Sequence, residues 1–255
     1  MTDTLVAFLL DRSGSMINSE YRTLAAFAAY LDRLRQEPTI RFSLVTFDSI
    51  STDVLVRNEP IGNVPTLTRG SFRPGLMTPL VDASYKLIKA IEKTVASYAE
   101  QPRVVICIHT DGTDNASTEY TFYDLDRLIR QKREDGWQIN FMAVGVSNAY
   151  RLAHCMGIPS DWTISYGENA FETSRAFVAL ADNTVDYVRR KRHVTCFTYA
   201  QREMAGDWEG LMGDYAREGV YMTDRRGGPD VWVHNPDPHP LPPVNAPPVV
   251  KDFEL

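Results

Sequence analysis

Cysteine is scarce in this chain: three among 255 residues, Cys107, Cys155 and Cys196, with no Cys-x-x-Cys pair. That spacing excludes a disulfide scaffold and a cysteine-rich zinc site, and the odd count fits a reducing compartment. No segment approaches the ~18–20 consecutive apolar residues needed to span a bilayer. The N-terminus lacks the basic segment and longer apolar stretch of a signal peptide. The expected location is therefore cytoplasmic, without membrane contact. Positive charge is also in deficit, with 27 Lys and Arg against 33 Asp and Glu and a net charge of −6. Such a surface does not favour nucleic acid, whose non-specific binding needs cations. The run Arg189-Arg190-Lys191-Arg192 is the exception, and it reads as the C-terminal end of a helix, where cations match the macrodipole. Missing as well are a Gly-x-Ser-x-Gly elbow, a Walker phosphate loop and a Gly-x-Gly-x-x-Gly turn.

What is present is a regular alternation of short β-rich runs with longer helical ones. Strands are predicted at 4–10, 41–47, 53–57, 104–108, 138–144 and, more weakly, 161–165. Between them apolar residues recur at helical spacing. Leu24, Phe27, Ala28, Leu31 and Leu34 form one stripe, and Leu80, Ala83, Leu87, Ile88, Ile91 and Val95 a second. Phe122, Leu125, Leu128 and Ile129 form a third, and Phe177, Val178, Ala181, Val185 and Val188 a fourth. This rhythm predicts an α/β, doubly wound, mostly parallel sheet flanked by helices on both faces. The link from 41–47 to 53–57 is too short for a crossover helix, so 53–57 is expected as an antiparallel edge strand. After about residue 195 the rhythm stops. Residues 199–217 could make one more helix, weakened by Gly206, Gly210 and Gly213. From about 227 the chain is proline-rich, which excludes helix and central strand. The expected division is a domain over 1–195 and a C-terminal extension over 196–255.

Directly after the first apolar run, 5–10, stands Asp11-Arg12-Ser13-Gly14-Ser15. A carboxylate and two hydroxyls at alternate positions, with a glycine to ease the turn, are oxygen ligands suited to a hard divalent cation. Thr78, in Met77-Thr78-Pro79-Leu80, precedes the second helical stripe, and Asp111, in His109-Thr110-Asp111-Gly112, follows the strand at 104–108. Taken singly, each has another reading. Ser13 or Ser15 could cap a helix, Thr78 could be an N-cap before a proline at the first helical position, and Asp111-Gly112 could be an ordinary turn.

Together, Asp11-x-Ser13-x-Ser15, Thr78 and Asp111 resemble the von Willebrand factor A (vWA) family, with a complete metal-ion-dependent adhesion site of the intracellular bacterial or phage type. The resemblance covers residues 3 to about 190. It implies six strands in the order 3-2-1-4-5-6, which puts Asp11 and Asp111 at neighbouring strand ends where the winding reverses and open α/β sheets bind ligands. It also implies that Ser13, Ser15 and sometimes Thr78 hold Mg²⁺, or Mn²⁺ or Ca²⁺ in its place, through neutral hydroxyls, while Asp11 and Asp111 act mainly through water or by orienting the serines. A cation so held keeps much of its charge and can take a Glu or Asp from a partner protein. The implied function is a metal-dependent protein-interaction module, an adaptor rather than an enzyme.

The alternative is a metal-dependent hydrolase or phosphatase with Asp11 as nucleophile. That chemistry favours a second carboxylate where this chain has Ser13. Asp48, after the strand at 41–47, is expected near the same rim and reads as a solvated loop carboxylate ahead of a supporting role behind the metal residues. Thr113-Asp114-Asn115 reads as a turn, and His109 as a hydrogen-bonded structural residue. His234 and His239 are a poor zinc site without further ligands. Pro240-Leu241-Pro242-Pro243 fits a PxxP motif, and Asp230, Asp237 or Glu254 of the tail could offer a carboxylate to the site of the same or a neighbouring chain.

Overall fold

The computed structural model describes residues 3–146 and 148–218. The proline-rich segment, with His234, His239, the PxxP stretch and the three tail carboxylates, lies outside the described residues. The strands are β1 (Thr4–Asp11), β2 (Ile40–Phe47), β3 (Thr52–Pro60), β4 (Arg103–Thr110), β5 (Gln138–Val144) and β6 (Thr163–Tyr166). They form one sheet in the order β3-β2-β1-β4-β5-β6. All neighbours are parallel except β2 and β3. The short link at 48–51 makes β3 the antiparallel edge, as expected. The helices are α1 (Glu20–Leu34), α2 (Leu80–Ala96), α3 (Phe122–Glu134), α4 (Ala149–Cys155), α5 (Ala170–Val188), α6 (Tyr199–Ala205) and α7 (Trp208–Glu218).

β1 lies in the middle of the sheet and is buried along its whole length. Because strand side chains alternate, it feeds two cores. Val6, Phe8 and Leu10 pack with α1 and α5, and Leu5, Ala7 and Leu9 with α2 and α3. Burial on both faces is why the run is continuously apolar rather than alternating. The predicted stripe of α2 is buried throughout, and Leu125, Leu128 and Ile129 are the buried face of α3. α1 buries Ala26 and Tyr30 as well as Phe27, Leu31 and Leu34, a wider face than the stripe implied. Cys107 is a buried core residue, and all three cysteines are free.

Three local expectations are corrected. The strand expected at 161–165 starts later, because Ser160–Trp162 form a 3-10 turn. The helix expected over 199–217 is two. Gly206 adopts φ +70° at the C-cap of α6, a left-handed conformation that ends the helix and that glycine takes without a Cβ clash. Thr78 does not cap α2: Pro79 holds the N-cap position and the helix begins at Leu80. The free N–H groups of Val81 and Asp82 are met instead by the Asp114 carboxylate and the Ser117 hydroxyl, at 2.8 and 3.0 Å.

α6 and α7 dock on the β6 side of the sheet. Phe197 and Ala205 belong to the core of α1 and α5, so buried packing runs past residue 195 without a break. Arg202 and Asp207, both fully buried, pair at 3.0 Å. Arg202 also donates to the carbonyls of Ser160 and Thr163, and the Tyr150 hydroxyl donates to Asp207. The basic run follows the end of α5, as expected. Arg189 pairs with Glu37 and Arg192 bonds Asn183 and the Cys196 carbonyl, which leaves Arg190 and Lys191 exposed. Among the described residues no helix is long and apolar enough to cross a membrane.

Phe8 is the joint between α1 and α5, with ring centroids 5.0 Å from Phe27 and 6.0 Å from Phe177. Phe8→Ala is expected to cost about 3–5 kcal/mol, by lost transfer free energy and the cavity left behind. Equilibrium urea unfolding measures it, and a loss under about 1 kcal/mol would contradict the packing described.

Candidate metal centre

The ends of β1 and β4, together with the loop before α2, meet at the carboxyl end of the sheet. Asp11 is the last residue of β1 and is fully buried. Its Oδ1 accepts the Ser13 backbone N–H at 2.7 Å, and its Oδ2 accepts the Thr110 hydroxyl at 2.6 Å. Turned by that first bond, Ser13 is buried with its Oγ 3.1 Å from the Ser15 Oγ. The Ser15 hydroxyl in turn donates to Asp111 Oδ1 at 2.6 Å. Asp11, Ser13, Ser15 and Asp111 are thus one hydrogen-bonded chain across the β1–β4 boundary.

Thr78 is brought in by backbone pairing. Gly75 N–H donates to the Arg12 carbonyl at 2.6 Å and Gly14 N–H to the Leu76 carbonyl at 3.0 Å, closing the first two loops on each other. A Cβ at position 14 would sit 2.9 Å from the Gly75 carbonyl oxygen, so the approach requires glycine there. On the other side the Thr78 N–H donates to Asn115 Oδ1 at 2.7 Å, and its carbonyl accepts the Asn115 N–H at 3.1 Å. Thr78 is buried, and its Oγ1 lies 3.7 Å from where a Cβ on Gly112 would stand. Its hydroxyl therefore faces the Asp111-Gly112 turn and is free of any capping duty. All five residues singled out in the sequence converge on this one rim.

The electrostatics are those of an unmet negative site. Burial pushes the Asp11 carboxyl up to about 6. Burial also raises Asp111, and the nearby Glu168 carboxylate adds to it. Neither Asp11 nor Asp111 has an ion-pair partner among the described residues. Arg12, though adjacent in sequence, is spent elsewhere. Its guanidinium meets Asp48 at 3.1 Å, Asp53 at 2.6 Å and the Ser51 hydroxyl at 2.6 Å. Among the described residues no group of three or more His, Cys, Asp or Glu side chains gathers to hold a metal. The donors able to do so here are mixed: the hydroxyls of Ser13, Ser15 and Thr78 with the carboxylates of Asp11 and Asp111. That set suits a hard divalent cation with retained water, and not a soft one.

Several neighbours were not foreseen. Asp48 is not a solvated loop carboxylate but is buried. It accepts from Arg12 Nε and from the backbone N–H groups of Ile50 and Ser51. Its Oδ2 stands 2.0 Å from the place a Cβ on Gly75 would take, so it is wedged between the first two loops. Thr110, which holds Asp11, carried no signal beyond its place beside Asp111. Thr113, Asp114 and Asn115, expected as a turn, are irregular instead, and Asp114 and Asn115 brace the start of α2 and the Thr78 that precedes it. Asp82 orders the rest of that loop by accepting the N–H groups of Thr118, Glu119 and Tyr120. His109 is a structural residue as expected: Nε2 lies 2.6 Å from the Tyr166 hydroxyl, and burial lowers its pKa to about 3, so it stays neutral.

No family model and no curated protein matches the sequence. Solved structures do match in shape. The pilus adhesin SpaC from Lactobacillus rhamnosus GG, in its open conformation, aligns over 74% of this chain with a TM-score of 0.59 at 11% identity. The vWF domain of the type V pili tip protein Mfa5 from Porphyromonas gingivalis aligns over 73% with a TM-score of 0.54 at 10% identity, and 96% of that domain is covered. The fold is of the vWA type. Proximal thread matrix protein 1 from the mussel byssus shares it, with a TM-score of 0.53 and 12% identity over 71% of this chain. The chain spans about half of the mussel protein (48%) and under a third of SpaC (30%). At these identities the likeness is one of fold.

Asp48 should matter to the vWA fold's first loop although it lies behind the site. Asp48→Ala removes three hydrogen bonds and leaves Arg12 half-paired in a partly buried position, with an expected cost of about 2–4 kcal/mol. Urea unfolding in EDTA checks this, and a cost within about 0.5 kcal/mol would mean that Asp48 is solvated after all.

Proposed function

We propose that this chain is a metal-dependent protein-interaction module that takes a Glu or Asp carboxylate from a partner protein at a divalent cation held by Ser13, Ser15, Thr78, Asp11 and Asp111. The observation that carries the reading is the pair of carboxylates, Asp11 and Asp111, both raised by burial and neither paired with a cationic side chain among the described residues, with Asp11 accepting the Ser13 backbone N–H and Asp111 the Ser15 hydroxyl. A divalent cation would supply the missing positive charge, with Mg²⁺ as the first choice and Mn²⁺ or Ca²⁺ as substitutes. Asp11 already engages the Ser13 backbone N–H and Asp111 the Ser15 hydroxyl, so their role is to orient the serines. The hydroxyls, being neutral, leave most of the cation's charge for an incoming carboxylate. That is a binding device.

Hydrolysis fits less well. An Asp11 nucleophile would need an exposed oxygen and a general acid two residues on. Asp11 is fully buried with each carboxylate oxygen already accepting a bond, and position 13 is a serine. Structures of the same fold belong to a pilus adhesin and a pilus tip protein, which supports an interaction role by analogy of fold alone. We place the protein in the cytoplasm, in line with its free cysteines, with neither nucleic acid nor membrane as partner. We assign the metal-dependent role to the sheet domain of residues 1–195 and read 196–255 as an extension that first packs into the core of that domain through Phe197 and Ala205 and whose proline-rich part could also serve self-interaction.

Mg²⁺ or Mn²⁺ at about a hundred times its Kd is expected to stabilise the native chain by about 2.7 kcal/mol, seen as a rise in Tm. Asp11→Ala and Asp111→Ala should show no such rise. Equal shifts in all three proteins would remove the assignment. An affinity pull-down in Mg²⁺ against EDTA, with Asp111→Ala as control, tests the partner half of the reading. Capture that is indifferent to EDTA and to the substitution would overturn it.

A further inference from the structure

The loops that carry the candidate donors also carry a group of exposed large apolar side chains. Ile17 follows Ser15 by two positions, Leu76 and Met77 directly precede Thr78, Ile50 tips the β2–β3 turn, and Tyr21 opens α1. Their exposure runs from 50% for Met77 to 74% for Tyr21. The loops that carry Leu76, Met77 and Ile50 are joined to each other and to the Ser13–Ser15 loop through the backbone. The Gly14 N–H bonds the Leu76 carbonyl, the Ser49 N–H bonds the Met77 carbonyl at 3.0 Å, and the Met77 N–H bonds the Ser49 hydroxyl at 3.0 Å. Large apolar side chains clustered on a rim and held by polar backbone contacts mark an interaction surface rather than scattered exposure.

Charge is distributed unevenly around the same rim. On the apolar side Arg12, next to Ser13 in sequence, is neutralised by Asp48 and Asp53. On the opposite side, in the loop between β6 and α5, stands the exposed Glu168, packed against Gly145 just beyond β5. A partner entering here meets apolar surface on one flank and a carboxylate on the other.

Resting on the reading of the site given above, we infer that the partner presents a single carboxylate with large apolar residues on one flank, seated on Ile17, Ile50, Leu76 and Met77, and with a neutral or basic residue towards Glu168. The occupant is an external protein segment of that chemistry. Polar, multiply acidic segments are disfavoured because a second carboxylate would face Glu168.

The test is peptide display on the full chain. Random peptides are selected in Mg²⁺ and eluted with EDTA. Binding of the selected peptides is then measured for the native chain, the double variant Ile50→Ser/Met77→Ser, and Glu168→Gln, with Mn²⁺ binding followed separately by electron paramagnetic resonance. The eluted peptides should share one Asp or Glu beside a cluster of Leu, Ile, Phe or Trp. The double variant should bind them about tenfold or more weakly, with Mn²⁺ binding unchanged. Glu168→Gln should admit peptides with a second acidic residue. Failure of the native chain to bind Mn²⁺ would overturn the underlying metal reading. Intact Mn²⁺ binding with no EDTA-eluted peptides, with peptides lacking the apolar cluster, or with unchanged affinity in the double variant would overturn the surface alone. Metal-dependent self-association lost in the double variant would seat a second copy there, and displacement of the peptides by a synthetic 246–255 peptide would seat the chain's own segment. Either result would replace the external partner.

Discussion

A carboxylate buried at the end of a fully buried strand is the constraint around which this end of the molecule is arranged. Asp11 closes β1, where the apolar run has already excluded water from both faces of the sheet. An ionised carboxylate in such a place is expensive unless its oxygens are bonded. One oxygen takes the Ser13 N–H and the other the Thr110 hydroxyl. Each bond has a structural effect. The first folds the chain back immediately after β1, which delivers Ser13 and Ser15 to the rim. The second ties β1 to the end of β4, which fixes Asp111 beside them. These two bonds leave Asp11 still raised to about 6, so the site retains an electrostatic demand that no cationic side chain among the described residues meets.

The fold was legible because its information is periodic. Leu5 to Leu10 could be read as a strand buried on both faces, and the stripes of α2 and α3 as helix faces, since burial leaves the same pattern wherever it occurs. Strand order is different. Nothing in the spacing of residues says that β4 follows β1 in space, and that order came with the family resemblance. The structure bears it out. Departures from the expected elements were local and had local causes. A single left-handed Gly206 divides α6 from α7, a turn that composition flags without locating. The α6–α7 pair is held by Arg202 and Asp207, two charged residues whose burial contradicts their usual exposure and which no hydrophobic pattern could reveal.

At the site, the five oxygen-bearing residues were visible as short motifs at strand and helix ends, but their supports were not. Asp48 and Thr110 act across 36 and 99 positions of sequence, and each looks ordinary where it stands. Asp48 in a loop between strands has the composition of a solvated turn. It is buried because the loop of Gly75 lies over it, a long-range fact absent from its neighbourhood. Thr78 was ambiguous for a related reason. Thr-Pro before a helix is a good cap in isolation. Asp114 and Ser117, more than thirty positions on, take over that duty and leave the hydroxyl facing the Gly112 turn. Local propensity was overridden by distant side chains in both cases.

The arrangement also bears on what kind of selectivity the rim can have. Neutral hydroxyls and orienting carboxylates give any cation bound there little to distinguish one carboxylate ligand from another, because the direct contact is a single oxygen. Discrimination must then come from what surrounds that contact. Around it the chain pairs Arg12 with Asp48 and Asp53, and has set apolar side chains on one flank and Glu168 on the other. Because Asp48 both neutralises Arg12 and wedges the Gly75 loop, the electrostatics of the rim and the placement of its apolar residues are coupled through one buried side chain. A change in that ion pair would alter the charge presented to a partner and the position of Leu76 and Met77 together. Affinity, on the proposed reading, resides in the oxygen donors, and specificity in the loops that Arg12 and Asp48 hold.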